Sequence, residues 1–175
     1  AGGDDRIILF RMAQNGGTYV AKNHGMIQAN GELITFMDSD DWSHPQRLER
    51  QFKTLQKNPD AVAVINNYFR VSEDGNITIV NGKVMRLSCI SLMIKVEVRH
   101  RIGYFDSLRV GADSEFVERI QAYYGYASLE KEETLVLISS YSTESLTGGG
   151  DFAITWRGIT GPRLENRSSW RAWHR

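Results

Sequence analysis

Little in this sequence is committed to covalent cross-links or to crossing a membrane. Cys89 is the single cysteine in 175 residues. That excludes an intrachain disulfide and a cysteine-based zinc site, and a lone thiol suits a reducing compartment. The longest unbroken apolar run is five residues, 61–65, far below the roughly 20 that span a bilayer. The opening residues show no charged-then-apolar leader pattern. Charge excess of either sign is missing as well: 21 Lys+Arg balance 21 Asp+Glu, so overall charge gives no argument for nucleic acid as a partner. What is present is 41% hydrophobic and 24% charged residues, the balance of a folded chain rather than a disordered one. The length suits one domain and is short for two.

The zero net charge conceals an asymmetry. Residues 156–175 hold five arginines (Arg157, Arg163, Arg167, Arg171, Arg175) against Glu165 alone, so this stretch is +4 and the remainder −4. Trp156, Trp170 and Trp173 share it. Such a segment suits a terminal helix or arm near an anionic surface, since Arg and Trp favour membrane interfaces. The alternative is an amphipathic helix that packs its tryptophans on the domain.

Patterning predicts alternating strands and helices. Residues 6–12 form a β-type apolar run ending in the turn chemistry of Asn15-Gly16-Gly17. From Thr18 the pattern is helical, with Ala21, Gly25 and Ala29 as a stripe of small side chains suited to lying against a sheet. Asn30-Gly31 ends this helix, the glycine serving as a left-handed cap. Residues 33–37 read as a buried strand, and a helix signalled by Ser43-His44-Pro45 carries Leu48, Phe52 and Leu55 on one face. Residues 61–69 read as the next strand, 77–80 as a short outer strand of a hairpin excursion, and 89–96 as another strand. A short helix closes at Gly103. Residues 114–124 form a helix with Phe116, Val117 and Ile120 inward, and 135–138 a late strand. This order argues a Rossmann-like α/β fold with a mostly parallel central sheet flanked by helices.

The strongest chemical signal is Asp38-Ser39-Asp40-Asp41-Trp42, three carboxylates within four positions directly after an apolar strand. In open α/β sheets ligands bind beyond the carboxyl ends of strands. Clustered carboxylates repel unless a cation or solvent compensates. Hard divalent ions such as Mg²⁺ or Mn²⁺ use one or two carboxylates plus substrate phosphates. A solvated acidic turn that caps the following helix is the plainer alternative.

These residues belong to a longer ordered set. Asn15-x-Gly17, Ala21-Lys22-Asn23-x-Gly25 and Ala29-x-Gly31 precede Ile34-x-Phe36-x-Asp38-Ser39-Asp40-Asp41-Trp42-x-x-Pro45-x-x-Leu48-Glu49. Further on stand Gly103-Tyr104-Phe105-Asp106, Gly111-Ala112-Asp113-Ser114-Glu115-Phe116 and Arg119. Together they resemble the family 2 inverting glycosyltransferases, enzymes of the GT-A fold, over about residues 13–120. The resemblance implies a nucleotide-diphosphate sugar as donor and a glycan or lipid-linked acceptor, in polysaccharide or glycoconjugate biosynthesis. It implies a cation, Mn²⁺ or Mg²⁺, held by Asp40 with Asp38 nearby, and donor contacts from Asn15, Lys22, Asp38, Ser39 and Asp40. Asp113 holds the position of the base that deprotonates the acceptor, with Glu115 as the fallback; Ala112 departs from the family's usual Glu-Asp pair. Asp113 could instead serve only to cap its helix. His24 reads as a helix-surface residue, and nothing local supports His174 as a metal ligand.

The family's opening strands are missing before Arg6, so the resemblance implies an N-terminally truncated GT-A domain over residues 1–145. Residues 146–175 then form a glycine-rich flexible segment, suited to an active-site lid, and the basic Trp/Arg segment. An unpaired strand at 7–10 would favour pairing with a second copy. The expected setting is cytoplasmic, at the inner face of a membrane. Two rival readings remain: a non-catalytic sugar-nucleotide-binding or interaction module, and an Asp-nucleophile phosphatase, whose site also opens with Asp-x-Asp after a strand. The phosphatase reading lacks the Thr or Val expected two residues after the second Asp.

Overall fold

The computed structural model describes residues 3–143, 147–155 and 158–174. Ala1, Gly2, Ser145, Leu146, Trp156, Arg157 and Arg175, which entered the expectations above, lie outside these residues. The elements run α1 (Thr18–Gln28), β1 (Leu33–Thr35), β2 (Trp42–Ser43), α2 (Arg47–Lys57), β3 (Ala63–Ser72) and β4 (Arg86–Lys95). There follow α3 (Glu97–Ile102), α4 (Ala112–Tyr124), β5 (Leu129–Tyr141), the short pair β6 (Ile154–Thr155) and β7 (Gly158–Ile159), and α5 (Pro162–Trp173).

The main sheet has the order β1-β4-β3-β5-β2. β3 and β5 pair in parallel, whereas β4 is antiparallel to both β1 and β3, and β2 is antiparallel to β5. β1, β3 and β5 therefore share one direction, as an α/β sheet requires. The parallel share among neighbours is smaller than expected because β4 returns from β3 through the non-helical residues 73–85, a connection that permits only an antiparallel partner. Within that excursion, residues 77–80 make isolated bridges, Val71 with Ile77 and Val80 with Lys83, rather than a strand. The carboxyl ends of β1, β3 and β5 face one end of the sheet, where residues 38–41 cross from one sheet edge to the other.

The core lies between the sheet and α4. Phe116, Val117 and Ile120 point inward as the helical spacing predicts, against Leu92, Ile94 and Val98. Phe105 sits at the centre of an aromatic cluster, its ring 5.6 Å from Tyr19, 5.0 Å from Phe36 and 4.8 Å from Phe116. Edge and tilted packing of this kind contributes beyond area burial, and here it ties α1, the end of β1 and the start of α4 together.

Four local expectations are corrected. Residues 6–12 form no strand; Ile7, Ile8 and Leu9 are exposed, because no described strand lies alongside to pair with them. Of the small-residue stripe of α1, Ala29, just past the helix, packs on the core, but Ala21 and Gly25 are exposed. Met26 and Tyr19 face the core instead, and Asn23 exchanges two hydrogen bonds with the Phe105 backbone, donating at 2.8 Å and accepting at 2.9 Å. That anchorage fixes the helix rotation. α1 ends through Ala29 in extended conformation, φ −67° and ψ 134°, not through a left-handed Gly31.

The fourth correction concerns α2. Leu48 and Phe52 are exposed, and the buried face is Arg47, Gln51, Thr54 and Leu55. Burying polar groups is costly unless each finds a partner, and here they do. The Arg47 guanidinium donates to Thr35 Oγ1 at 2.9 Å, to the Phe36 carbonyl at 3.1 Å and to Gln51 Oε1 at 3.2 Å. Gln51 Nε2 donates to Asn66 Oδ1 at 2.9 Å and to the Ser91 carbonyl at 2.6 Å. This network fastens α2 to β1, β3 and β4 and aims the acidic turn between β1 and β2. Gln51→Leu leaves buried partners unpaired and should cost about 2–3 kcal/mol in urea denaturation. Leu48→Ala should stay within about 0.5 kcal/mol.

Within the basic C-terminal stretch, α5 is helical and packs on the domain. Trp170 of α5 is buried, Trp173 is exposed, and Arg171 holds Glu118 of α4 at 2.6 Å. The described part of the glycine-rich segment is fastened too. Ile154 N donates to the Thr147 carbonyl at 2.8 Å, and the Tyr141 hydroxyl donates to the Gly148 carbonyl at 3.3 Å. Among the described residues no helix is long and apolar enough to cross a membrane.

Candidate active site

The end of the sheet at which β1, β3 and β5 finish opens into a cleft of about 950 Å³. The acidic turn forms part of its wall: Asp38, Ser39, Asp40 and Asp41 all line it, together with Lys22 from α1 and Asp113 from the first turn of α4. Five of the six positions that the sequence singled out therefore meet in one cavity. Asn15 is placed otherwise. Its Oδ1 accepts the Gly17 amide at 3.0 Å, an Asx turn that launches α1, and its side chain is not in the cleft wall.

Each carboxylate of the turn has a different environment. Asp38 forms an ion pair with Lys22 at 2.6 Å. Asp41 is half-buried and accepts the Ser140 amide at 3.3 Å. Burial raises its carboxyl above the ordinary range; hydrogen bonding to Ser139 and Ser140 opposes this, while the charges of Asp38 and Asp40 add to it. Asp40 is exposed at the cleft mouth. Among the described residues no three His, Cys, Asp or Glu side chains converge to cage a metal.

Asp113 stands on the other wall. Its Oδ1 accepts the Tyr19 hydroxyl at 3.0 Å and the Ser114 amide at 2.8 Å, while Gly111, left-handed at φ 81°, is the N-cap of α4. Capping is thus a property of Gly111 rather than of Asp113. Burial and the neighbouring Asp113 charge raise the Tyr19 phenol far above its ordinary value, so Tyr19 keeps its proton and donates. Burial, with Asp113 nearby, also pushes the Cys89 thiol up to about 12, which keeps it protonated and unreactive.

Glu115 is not in the cleft wall. It is 1% exposed, held by Arg119 at 2.7 Å and by His174 Nε2 at 2.9 Å. Arg119 continues to the carbonyls of Ile102 and Tyr104 at 2.7 and 2.8 Å. Glu115 thus clamps α4 to the loop after α3 and to the end of α5, and His174 belongs to that clamp. Glu115→Gln leaves Arg119 without its counter-charge and should cost about 3 kcal/mol, the low end for a broken buried pair, because the two carbonyls remain. Chemical denaturation measures this, and nucleotide binding by the folded protein should not change.

Sequence reasoning missed Tyr19, Arg70, Arg86 and Arg163, all of which line the cleft. Tyr19 precedes Lys22 by three positions and so shares its helix face, a signal available in the sequence. The arginines carry no comparable local mark.

Comparison with known proteins places this geometry. Residues 1–116 match the model of Glycosyl transferase family 2. An uncharacterized glycosyltransferase of Methanocaldococcus jannaschii is 35% identical over 74 residues, 42% of this chain and 26% of that protein. The glycosyltransferase GlyG of Streptococcus pneumoniae is 39% identical over 74 residues, 42% of this chain and 24% of its own length. An uncharacterized glycosyltransferase of Haemophilus influenzae is 37% identical over 73 residues, 42% and 29% respectively. The chain thus spans roughly a quarter of the length of these curated relatives. The family match runs from the first residue through the acidic turn to the opening of α4, so it takes in Asp40 and Asp113 alike, and the chain belongs to glycosyl transferase family 2.

Proposed function

We propose that this cleft moves a sugar from a nucleotide-diphosphate donor to an acceptor hydroxyl with inversion at the anomeric carbon, in polysaccharide or glycoconjugate biosynthesis. The observation that carries this reading is that the acidic turn after β1 and Asp113 of α4, distant in sequence, line one cleft. The donor lies along the turn, with Lys22 and Ser39 near its phosphates and nucleoside. The acceptor enters on the Asp113 side. Asp113 takes the hydroxyl proton as the acceptor oxygen attacks the anomeric carbon, and the bond to the diphosphate breaks with its electron pair leaving on oxygen. Tyr19 holds the Asp113 carboxylate in position through its hydrogen bond.

A divalent cation, Mn²⁺ or Mg²⁺, fits Asp40. This exposed carboxylate has neither the lysine partner of Asp38 nor the serine partners of Asp41. One or two carboxylates plus substrate phosphates are what such ions take, which accords with a turn that cages no ion by itself. When bound, the cation neutralises charge on the departing diphosphate.

Calorimetric titration with UDP, with and without Mn²⁺, followed by a panel of sugar nucleotides, tests the reading. Metal-dependent nucleotide binding is the expected result. Hydrolysis of p-nitrophenyl phosphate without nucleotide binding would instead favour the phosphatase chemistry, whose nucleophile would be Asp38, the carboxylate already paired to Lys22.

A further inference from the structure

The far wall of the cleft carries two arginines that make no ion pair among the described residues. Arg70 on β3 is 8% exposed and Arg86 lies on β4, opposite Tyr68 in the antiparallel register. Both guanidinium groups stack on the Tyr68 ring, at 5.7 and 5.1 Å from its centroid. The Nε of each is buried and has no hydrogen-bond partner. Burial and the nearby Arg70 charge hold the Arg86 guanidinium below its ordinary value. Two like charges on one ring, one buried and one half-buried and neither ion-paired among the described residues, are unfavourable unless an anion joins them. A planar guanidinium fork is the side chain best matched to a carboxylate or phosphate.

Their position sets them apart from the Asp41 end of the acidic turn, whose Asp38 end leaves β1 beside β4. Trp42, the residue after Asp41, pairs with Ile138 of β5, and Ile138 pairs with Phe69 of β3. Two strand spacings, about 10 Å, therefore lie between the Asp41 end of the turn and β3, and three, about 14 Å, between it and β4. Arg163 lines the same cleft; burial lowers its guanidinium, and the charges of Asp113 and Arg70 act on it in opposite directions.

From this arrangement we infer that Arg70 and Arg86, backed by the Tyr68 ring, form an oxyanion subsite for the acceptor, binding a phosphate or carboxylate group that the acceptor carries and so setting its hydroxyl against Asp113. The inference rests on the proposed transfer reaction for the acceptor's role, while the oxyanion site itself is measurable without donor.

The test titrates inorganic phosphate and glucuronate separately into the protein, alone and in the presence of UDP and Mn²⁺, and repeats the titrations with Arg70→Met and Arg86→Gln. Wild type should bind at least one oxyanion and gain melting temperature from it. Each variant should lose about tenfold or more of that affinity, the worth of a charged hydrogen bond, with UDP affinity unchanged. In oxyanion-free buffer the melting temperature of each variant should hold or rise, because one of two neighbouring like charges has been removed; this readout also reports folding. Preference for phosphate identifies a phosphorylated acceptor, and preference for glucuronate an acidic sugar. Oxyanion binding without any UDP binding would leave the subsite standing and remove the transfer reading. The subsite is overturned if wild type binds neither oxyanion, if the variants bind as wild type does, or if UDP affinity falls with oxyanion affinity, which would give the pair to the donor.

Discussion

Asp113→Asn should lower sugar-transfer turnover by roughly 10²–10⁴, the usual worth of a positioned general base, and leave donor affinity nearly unchanged. The substitution keeps volume and keeps an oxygen that can accept the Tyr19 hydroxyl and the Ser114 amide, the two hydrogen bonds made by the native side chain. What it removes is the ability to take a proton. Because Gly111 is the N-cap of α4, the variant should melt close to wild type, so a fall in turnover cannot be attributed to loss of the helix start. Glu115→Gln gives the contrasting signature. It should reduce stability, because Glu115 is buried in the clamp with Arg119 and His174, and have little effect on the turnover of the protein that remains folded. Steady-state kinetics paired with denaturation curves distinguishes the two. Should Glu115→Gln silence transfer at undiminished stability while Asp113→Asn does not, the base would be Glu115 and the assignment here would fail.

The contrast between these two neighbours marks how far the sequence could be read. Helical spacing alone turns Glu115 away from Asp113, and the spacing of Phe116, Val117 and Ile120 gave the inward face of α4 correctly. The acidic turn was legible because three carboxylates after an apolar strand have few structural uses. Where burial is carried by polar groups, the apolar pattern misled. In α2 the periodic Leu48 and Phe52 are exposed while Arg47 and Gln51 are buried, since their partners lie on β1, β3 and β4 at sequence distances that no local window covers. The same holds for α1, whose rotation is fixed by Asn23 reaching the backbone of Phe105. The arginines of the cleft were invisible for a related reason. Arg70 and Arg86 meet only through the antiparallel register of β3 and β4, and register is a property of the folded sheet.

Asp40→Ala should abolish metal-dependent nucleotide binding and leave the metal-free protein at least as stable as wild type. The first half follows from the division of labour within the turn. Asp38 is engaged by Lys22 at 2.6 Å and Asp41 by the Ser140 amide at 3.3 Å, so Asp40 is the carboxylate with which a cation and a diphosphate can both make contact. Without it the diphosphate would meet the remaining carboxylates of the turn with no cation between them, and repulsion works against binding. The second half follows from Asp41. Its carboxyl is raised by burial first, with the charges of Asp38 and Asp40 adding to the shift. A carboxyl raised in the folded state favours folding when protonated, and that contribution is lost as pH rises through its folded pKa. Removing Asp40 removes one of the like charges, so ionising Asp41 becomes less unfavourable. The gain in stability should appear above the carboxylate range and vanish as pH falls below it, where both proteins carry neutral groups. Thermal melts of the metal-free proteins across this pH interval test the sign, and titration with UDP and Mn²⁺ at neutral pH tests the binding. Wild-type nucleotide affinity in Asp40→Ala would move the cation away from this turn, and a loss of metal-free stability at neutral pH would mean that Asp40 supports the fold rather than straining it.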